Sequence, residues 1–321
     1  MAFIMADAST LARDLWPEGR GRMHRDTSTC ATLPASKLVP MEYDDLGNWL
    51  CVDPCGVDSG CAAWAHPDVA GEAERLEVTI RLHGFVEQAS LGMLGNWDGK
   101  VMGAPKAVQS LTLVGGGCTE AFEPQLLAMD NVKEKVLCLL SRGHDIPDEP
   151  SSKLVLRRRV FQKVSFSFEI SRSLEFDILT LERQVGGTDD VVQPVVIPVS
   201  EDPVGRVRKM QHMWAVTHHI VGGIQQPDGR VTRANPSIIR PGDFVDVAVT
   251  IQVVSLRVPG GHRGVDVMFV PQTVVRLCTV DQACAMLRTI SNPDEVTDQQ
   301  GTIVRRDIGF EFDAEEEEME T

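Results

Sequence analysis

The stretch that decides the fold reads Pro241-Gly242-Asp243-Phe244-Val245-Asp246-Val247-Ala248-Val249-Thr250-Ile251-Gln252-Val253-Val254. Every second residue from Val245 to Val253 is valine or isoleucine, while Phe244, Asp246, Ala248, Thr250 and Gln252 share the opposite side. Side chains alternate across a strand, so the pattern predicts one buried face and one mixed face. β-branched side chains suit a pleated surface better than a helix, which decides the period. Downstream, Pro259-Gly260-Gly261-His262-Arg263-Gly264 provides the glycines of a hairpin loop. A second strand is expected over Val265–Val270. Pro271 has no amide hydrogen and predicts a bend or an edge position, and Thr273–Val280 supplies a third strand of the meander.

Working outward, Leu154–Ile170 carries a comparable signal, with Val164, Phe166, Phe168 and Ile170 alternating against Ser165, Ser167 and Glu169. Leu174, Phe176 and Ile178 repeat it, and Val191–Val199, with Pro194 and Pro198, reads as an edge strand. Leu76–Leu82 alternates as a half-exposed strand, Gln109–Val114 as another, and Val132–Leu140 is assigned to a strand by its neighbours. Asp281 caps a short helix over Gln282–Ile290. The expected fold class is therefore mainly β: an antiparallel sandwich or barrel-like sheets, with few short helices and disordered termini. Residues 1–45 are expected to be largely disordered, 46–150 an irregular plus β unit, 151–292 the main antiparallel unit, and 293–321 an acidic tail. Residues 46–292 as a single domain is the alternative division.

With 321 residues, 43% hydrophobic and 24% charged, the composition is that of a soluble globular protein. No apolar run reaches the ~18 residues of a membrane span. The start, Met1 to Asp7, lacks a basic leader, which points to an intracellular protein of cytoplasm or nucleus. The eight cysteines are then expected as reduced thiols. The formal net charge is −15, and the last eleven positions hold seven acids. Residues 151–240 instead carry 13 Lys or Arg against 9 Asp or Glu. A mildly basic middle in an acidic chain could engage phosphate.

One cluster has metal-binding chemistry: Cys51, Cys55, Cys61 and His66, spaced C-x3-C-x5-C-x4-H. Thiolates and imidazole suit zinc, the one cofactor that the sequence suggests. Other motifs fail on spacing. Gly95-Asn96-Trp97-Asp98-Gly99-Lys100 is one residue short of a phosphate loop, and Val101 stands where Ser or Thr would hold magnesium. Gly115-Gly116-Gly117 opens no G-x-G-x-x-G helix. Gly56-Val57-Asp58-Ser59-Gly60 has the wrong order for a nucleophile elbow. The adjacent His218 and His219 would face opposite sides of a strand, one buried and one exposed, and so could not share an ion.

The octapeptide Arg240-Pro241-Gly242-Asp243-Phe244-Val245-Asp246-Val247 resembles segments of uncharacterised proteins of mushroom-forming fungi, a resemblance that implies no activity. Three functional readings follow from the residues. The leading one is a non-enzymatic β-rich module for protein interaction or assembly, with a protein partner and no membrane. The alternative is an OB-like nucleic-acid-binding protein using Arg157, Arg158, Arg159, Lys163, Arg206, Arg208 and Lys209. The third is a hydrolase whose catalytic residues converge in space and leave no sequence signature.

Overall fold

A computed structural model describes residues 3–5, 38–40, 42–52, 63–67, 76–117, 119–140, 151–164, 195–226, 230–257 and 263–291. The chain divides into two compact units. Met1–Ala89, Ser110–Arg157 and Ile220–Thr321 form the first, and Ser90–Gln109 with Arg158–His219 form the second. In chain order the elements are β1 (Phe3–Met5), β2 (Leu38–Val39), β3 (Leu50–Val52), β4 (Ala63–Ala65), β5 (Thr79–Ser90), β6 (Val108–Val114) and helix α1 (Thr119–Leu139). There follow β7 (Leu154–Arg159), β8 (Gln162–Lys163), α2 (Arg206–Met210), β9 (Trp214–Ala215), β10 (Val221–Gln225) and β11 (Val231–Ala234). The long hairpin β12 (Phe244–Arg257) and β13 (Arg263–Cys278) and helix α3 (Val280–Ser291) end the series.

The protein is mainly β. The large sheet runs β11-β10-β13-β12-β5-β1-β2, with β6 on β5 and β7 on β6. It is mixed: β10 lies parallel to β13 and β1 parallel to β5, while β12 is antiparallel to both β13 and β5. Among the described residues the sheet stays open, so the barrel-like alternative does not hold.

The deciding stretch is a strand, as its period requires, but it is buried on both faces. Val245, Val247, Val249, Ile251 and Val253 are all inaccessible, and on the other face Phe244, Asp246, Ala248 and Thr250 are buried and Gln252 half-buried. Leu76–Leu82 alternates as expected as far as Ile80, with Glu77 exposed, Thr79 half-buried and Val78 and Ile80 buried, but its polar side is covered at Arg81 and, beyond the stretch, at His83.

Pro271 does not interrupt β13, so the expected second and third strands are one. The register shifts between Ala248 and Val249, so that Val249 faces Pro271 and Ala248 faces Thr273, and β10 pairs with β13 only from Thr273 onward. The missing amide hydrogen therefore falls at a bulge, where the ladder is already interrupted.

Val132–Leu140 is helical, contrary to the strand assigned to it. The nine-residue window hid the period of the full element. Phe122, Gln125, Met129, Val132 and Val136 are buried at helical spacing along α1. Lys133 of α1 reaches Asp266 of β13 at 2.9 Å. Gly84 of β5 lies under the helix, where an added Cβ would stand 3.0 Å from the Phe122 ring.

The entrance to β12 is a tight turn. Asp243 N donates to Arg240 O at 3.1 Å, and Gly242 adopts φ 88°, a conformation open to glycine after proline. Asp243 Oδ2 accepts from Arg240 N, and Oδ1 accepts from Val280 N at the start of α3. The cap of α3 is Thr279, not Asp281. Thr279 and Gln282 exchange side-chain-to-backbone hydrogen bonds, a capping box.

The second unit has its own core of Ala104, Ala107, Val160, Phe161, Val207, Met210 and Val216. Trp97 sets its ring edge on Phe161 and donates its indole hydrogen to Lys100 O. Asn96 clasps Val108 through both backbone and side chain. The glycine-rich stretch that falls short of a phosphate loop is thus consumed in folding itself. Residues 216–220 are not a strand, and His218 and His219 are both exposed, which corrects the expected buried and exposed pair.

Candidate functional site

Two places in the molecule concentrate chemistry. The first is a buried ionic trio in the first unit. In the β5–β12 register His83 faces Asp246 and Arg81 faces Ala248, so Arg81, His83 and Asp246 share one side of the sheet. Arg81 Nε donates to Asp246 Oδ1 at 3.2 Å, and its Nη2 donates to Oδ2. His83 Nε2 stands 3.0 Å from the same Oδ2. Burial alone would raise the Asp246 pKa, but the guanidinium of Arg81, and after it His83, outweigh burial and hold the carboxyl well below the usual carboxylate range.

Gln125 of α1 secures the strand from the other edge. Its Oε1 accepts from His83 N at 2.9 Å and its Nε2 donates to His83 O at 3.0 Å, so one side-chain amide stands in for a neighbouring strand. His83 Nδ1 has no hydrogen-bond partner among the described residues. All three ionic side chains are at most 3% exposed. A trio this deeply covered is a charged anchor between strands and presents nothing to a substrate.

The second place is a groove of about 670 Å³ within the second unit. Val164, Val195, Ile197, Val207, Trp214 and Val216 form its walls. A cavity of this size and lining falls in the range of binding pockets. At its mouth Val196, Val199 and Val204 are 88%, 79% and 60% exposed. Isolated exposed valines are ordinary, but three bordering one apolar groove make a contiguous patch of the kind that marks interaction sites.

Three polar side chains complete the groove: Asp202, Arg208 and Gln211. Asp202 is occupied, its two oxygens accepting from Arg206 N and Val207 N at the start of α2. Arg208 makes no ion pair among the described residues. Short backbone contacts hold the walls together. Val164 N donates to Met213 O, Val195 N donates to Val216 O, and β8 pairs with β9 through Gln162–Ala215 and Lys163–Trp214.

Of the candidate basic residues, Arg157 belongs to the first unit, and Arg158, Arg159, Lys163, Arg206, Arg208 and Lys209 to the second. Along β7 burial alternates, so Arg157 and Arg159 are exposed while Arg158 is buried. Lys163, Arg206, Arg208 and Lys209 are exposed, and only Arg208 of these lines the groove. The second unit as a whole holds 10 Lys or Arg against 9 Asp or Glu, without the acidic excess of the full chain.

Of the proposed zinc ligands, Cys51 and His66 are described, while Cys55 and Cys61 lie outside the described residues. Cys51 sits in β3 opposite Trp64, with its sulfur 3.7 Å from Ala65 O, and burial pushes its thiol pKa up. The acidic tail and the strands expected over 165–181 also lie outside the described residues.

Sequence reading alone did not find the trio or the groove. Asp246 interrupting a valine-rich strand was the one available signal for the trio. The groove walls come from short, aperiodic runs that carry no signal. Among the described residues no helix is long and apolar enough to cross a membrane. Comparison with protein-family models, with curated proteins and with solved structures finds no match to this chain.

Proposed function

We propose that the protein is a non-enzymatic interaction module whose second unit receives an apolar segment of a protein partner. The observation that carries this reading is the valine-rimmed groove of about 670 Å³. A groove walled by aliphatic side chains and one tryptophan binds by removing apolar surface from water, worth roughly 25 cal/mol for each Å² covered. Val196, Val199 and Val204, at 88%, 79% and 60% exposed, supply part of that surface. The ionic trio supports the same reading from the other side, because the one His–Asp pair of this kind in the described sheet is sealed from solvent.

The test is titration of a neutral, environment-sensitive dye such as Nile red into the wild type and the V199E and V204E variants. Both positions are exposed, so the substitutions leave the core intact. Saturable binding in the wild type, weakened at least tenfold in both variants, is expected. Equal binding by wild type and variants would refute the groove. The exposed Arg159, Lys163, Arg206 and Lys209 favour a nucleic-acid reading as the competitor. Single-stranded oligonucleotide that binds with a steep salt dependence, and loses affinity when Arg159, Lys163, Arg206 and Lys209 become glutamine, would replace the protein-partner reading.

A further inference from the structure

We infer that the segment held in this groove is an extended peptide of alternating aliphatic residues that carries a carboxylate side chain, lies along Val196 and pairs its carboxylate with Arg208. The inference rests on the groove reading above and specifies its occupant.

Three observations point to it. The first is the edge. Val195 N is spent on Val216 O, the residue after β9, so the chain at Val195 runs beside the end of β9. Val196 next to it is 88% exposed, and its N–H and C=O are the next backbone pair along this run. Among the described residues neither has a hydrogen-bond partner. An exposed pair of this kind is where an extended peptide adds to a sheet. Pro198 follows two residues later and has no amide hydrogen, which limits the pairing to a short stretch. Most of the binding energy must then come from side chains in the groove.

The second observation is the alternation of the walls. A strand laid on this edge turns every second side chain toward Val195, Ile197, Trp214 and Val216, and the rest toward solvent. The occupant therefore needs aliphatic residues at alternate positions, and a helix would present its side chains at the wrong period.

The third observation is charge. Asp202 has both oxygens engaged by backbone amides, while the guanidinium of Arg208 is exposed and makes no ion pair among the described residues. Over all its residues the second unit is nearly balanced, with 10 Lys or Arg against 9 Asp or Glu, so the charge complementarity rests on Arg208 itself. A glutamate or aspartate in the occupant would complete Arg208 as a charge-assisted hydrogen bond, and a lysine there would be repelled.

The experiment displaces Nile red from the full chain with two blocked peptides of eight residues, alternating valine with threonine and differing in one glutamate or lysine. The glutamate peptide should displace the dye at about tenfold lower concentration, equivalent to about 1.4 kcal/mol. R208Q should erase that preference and R208E should reverse it. Equal displacement by both peptides would overturn the inference and leave the groove reading standing. Dodecanoate displacing the dye through Arg208 while neither peptide does would overturn both in favour of a small amphipathic acid. Residues 165–194, with six acids against two arginines, are attached to the groove through Val164 and Val195. Dye binding that appears only after they are replaced by a Gly-Ser linker would make them the occupant and would likewise overturn both.

Discussion

His83 Nε2 lies 3.0 Å from Asp246 Oδ2 across the β5–β12 pair, in a place where neither side chain reaches solvent. Arg81 completes the charge balance on the same carboxylate. Removing one member of a buried ionic set leaves the others uncompensated, so Asp246→Asn should lower stability by about 3–5 kcal/mol at neutral pH, measured by urea unfolding.

The pH dependence of that loss follows from the depressed pKa of Asp246. A carboxyl with a lower pKa in the folded than in the unfolded chain stabilises fully above its unfolded value of about 3.9, and loses that stabilisation as pH falls toward the folded value. The stability difference between wild type and Asp246→Asn should therefore be constant from pH 7 to about pH 5 and shrink below about pH 4. A difference that stayed constant into acid would show that Asp246 does not titrate against this partner set.

Gly222 pairs with Ala234, and a Cβ at that position would overlap the Ala234 carbonyl oxygen and Pro236. Gly222→Ala should cost about 1–3 kcal/mol in thermal unfolding, the range of an overpacked site. Gly117, by contrast, has a positive φ, but an added Cβ would have nothing within 4 Å, so Gly117→Ala should cost only the left-handed strain, about 1 kcal/mol.

His218 is exposed overall, but part of its ring is desolvated, and Arg158 and His219 add like charge nearby. Partial burial first, then these two charges, lower its pKa from the ordinary value. In Arg158→Gln the His218 pKa should rise part of the way back, read from its NMR titration, because the burial contribution remains. An unchanged midpoint would place Arg158 too far away to matter.

Thiol labelling should separate the described cysteines by environment. Cys138 and Cys284 are exposed, whereas Cys51 is half-buried with its thiol pKa raised by burial. Maleimide followed by peptide mapping should modify Cys138 and Cys284 well before Cys51, and raising the pH from 7 to 9 should accelerate Cys51 the most.

What could be read in the sequence follows from the range of the interactions involved. The alternation of Val245 to Val253 is local and was enough to place a strand. It could not show that Asp246 is buried too, because its partners lie 163 and 165 residues away and meet it only through strand register. Helix α1 was missed because a nine-residue window over Val132–Leu140 omitted Phe122, Gln125 and Met129, which carry the helical period. Pro271 misled for a related reason: the rule against proline in a central strand is waived where a bulge and the late start of β10 leave no hydrogen bond to lose. The groove could not be read at all, since its lining is gathered from runs of one to four residues on either side of a long stretch of chain.

The clasp of Gln125 on the His83 backbone makes that one amide a clock for helix docking. Other protected hydrogens of β5 are released only when strands separate, but His83 N–H is released when α1 lifts, even with the sheet intact. Its hydrogen-exchange rate therefore reports the free energy of undocking α1 separately from global unfolding. Should the two rates coincide, helix and sheet open as one unit.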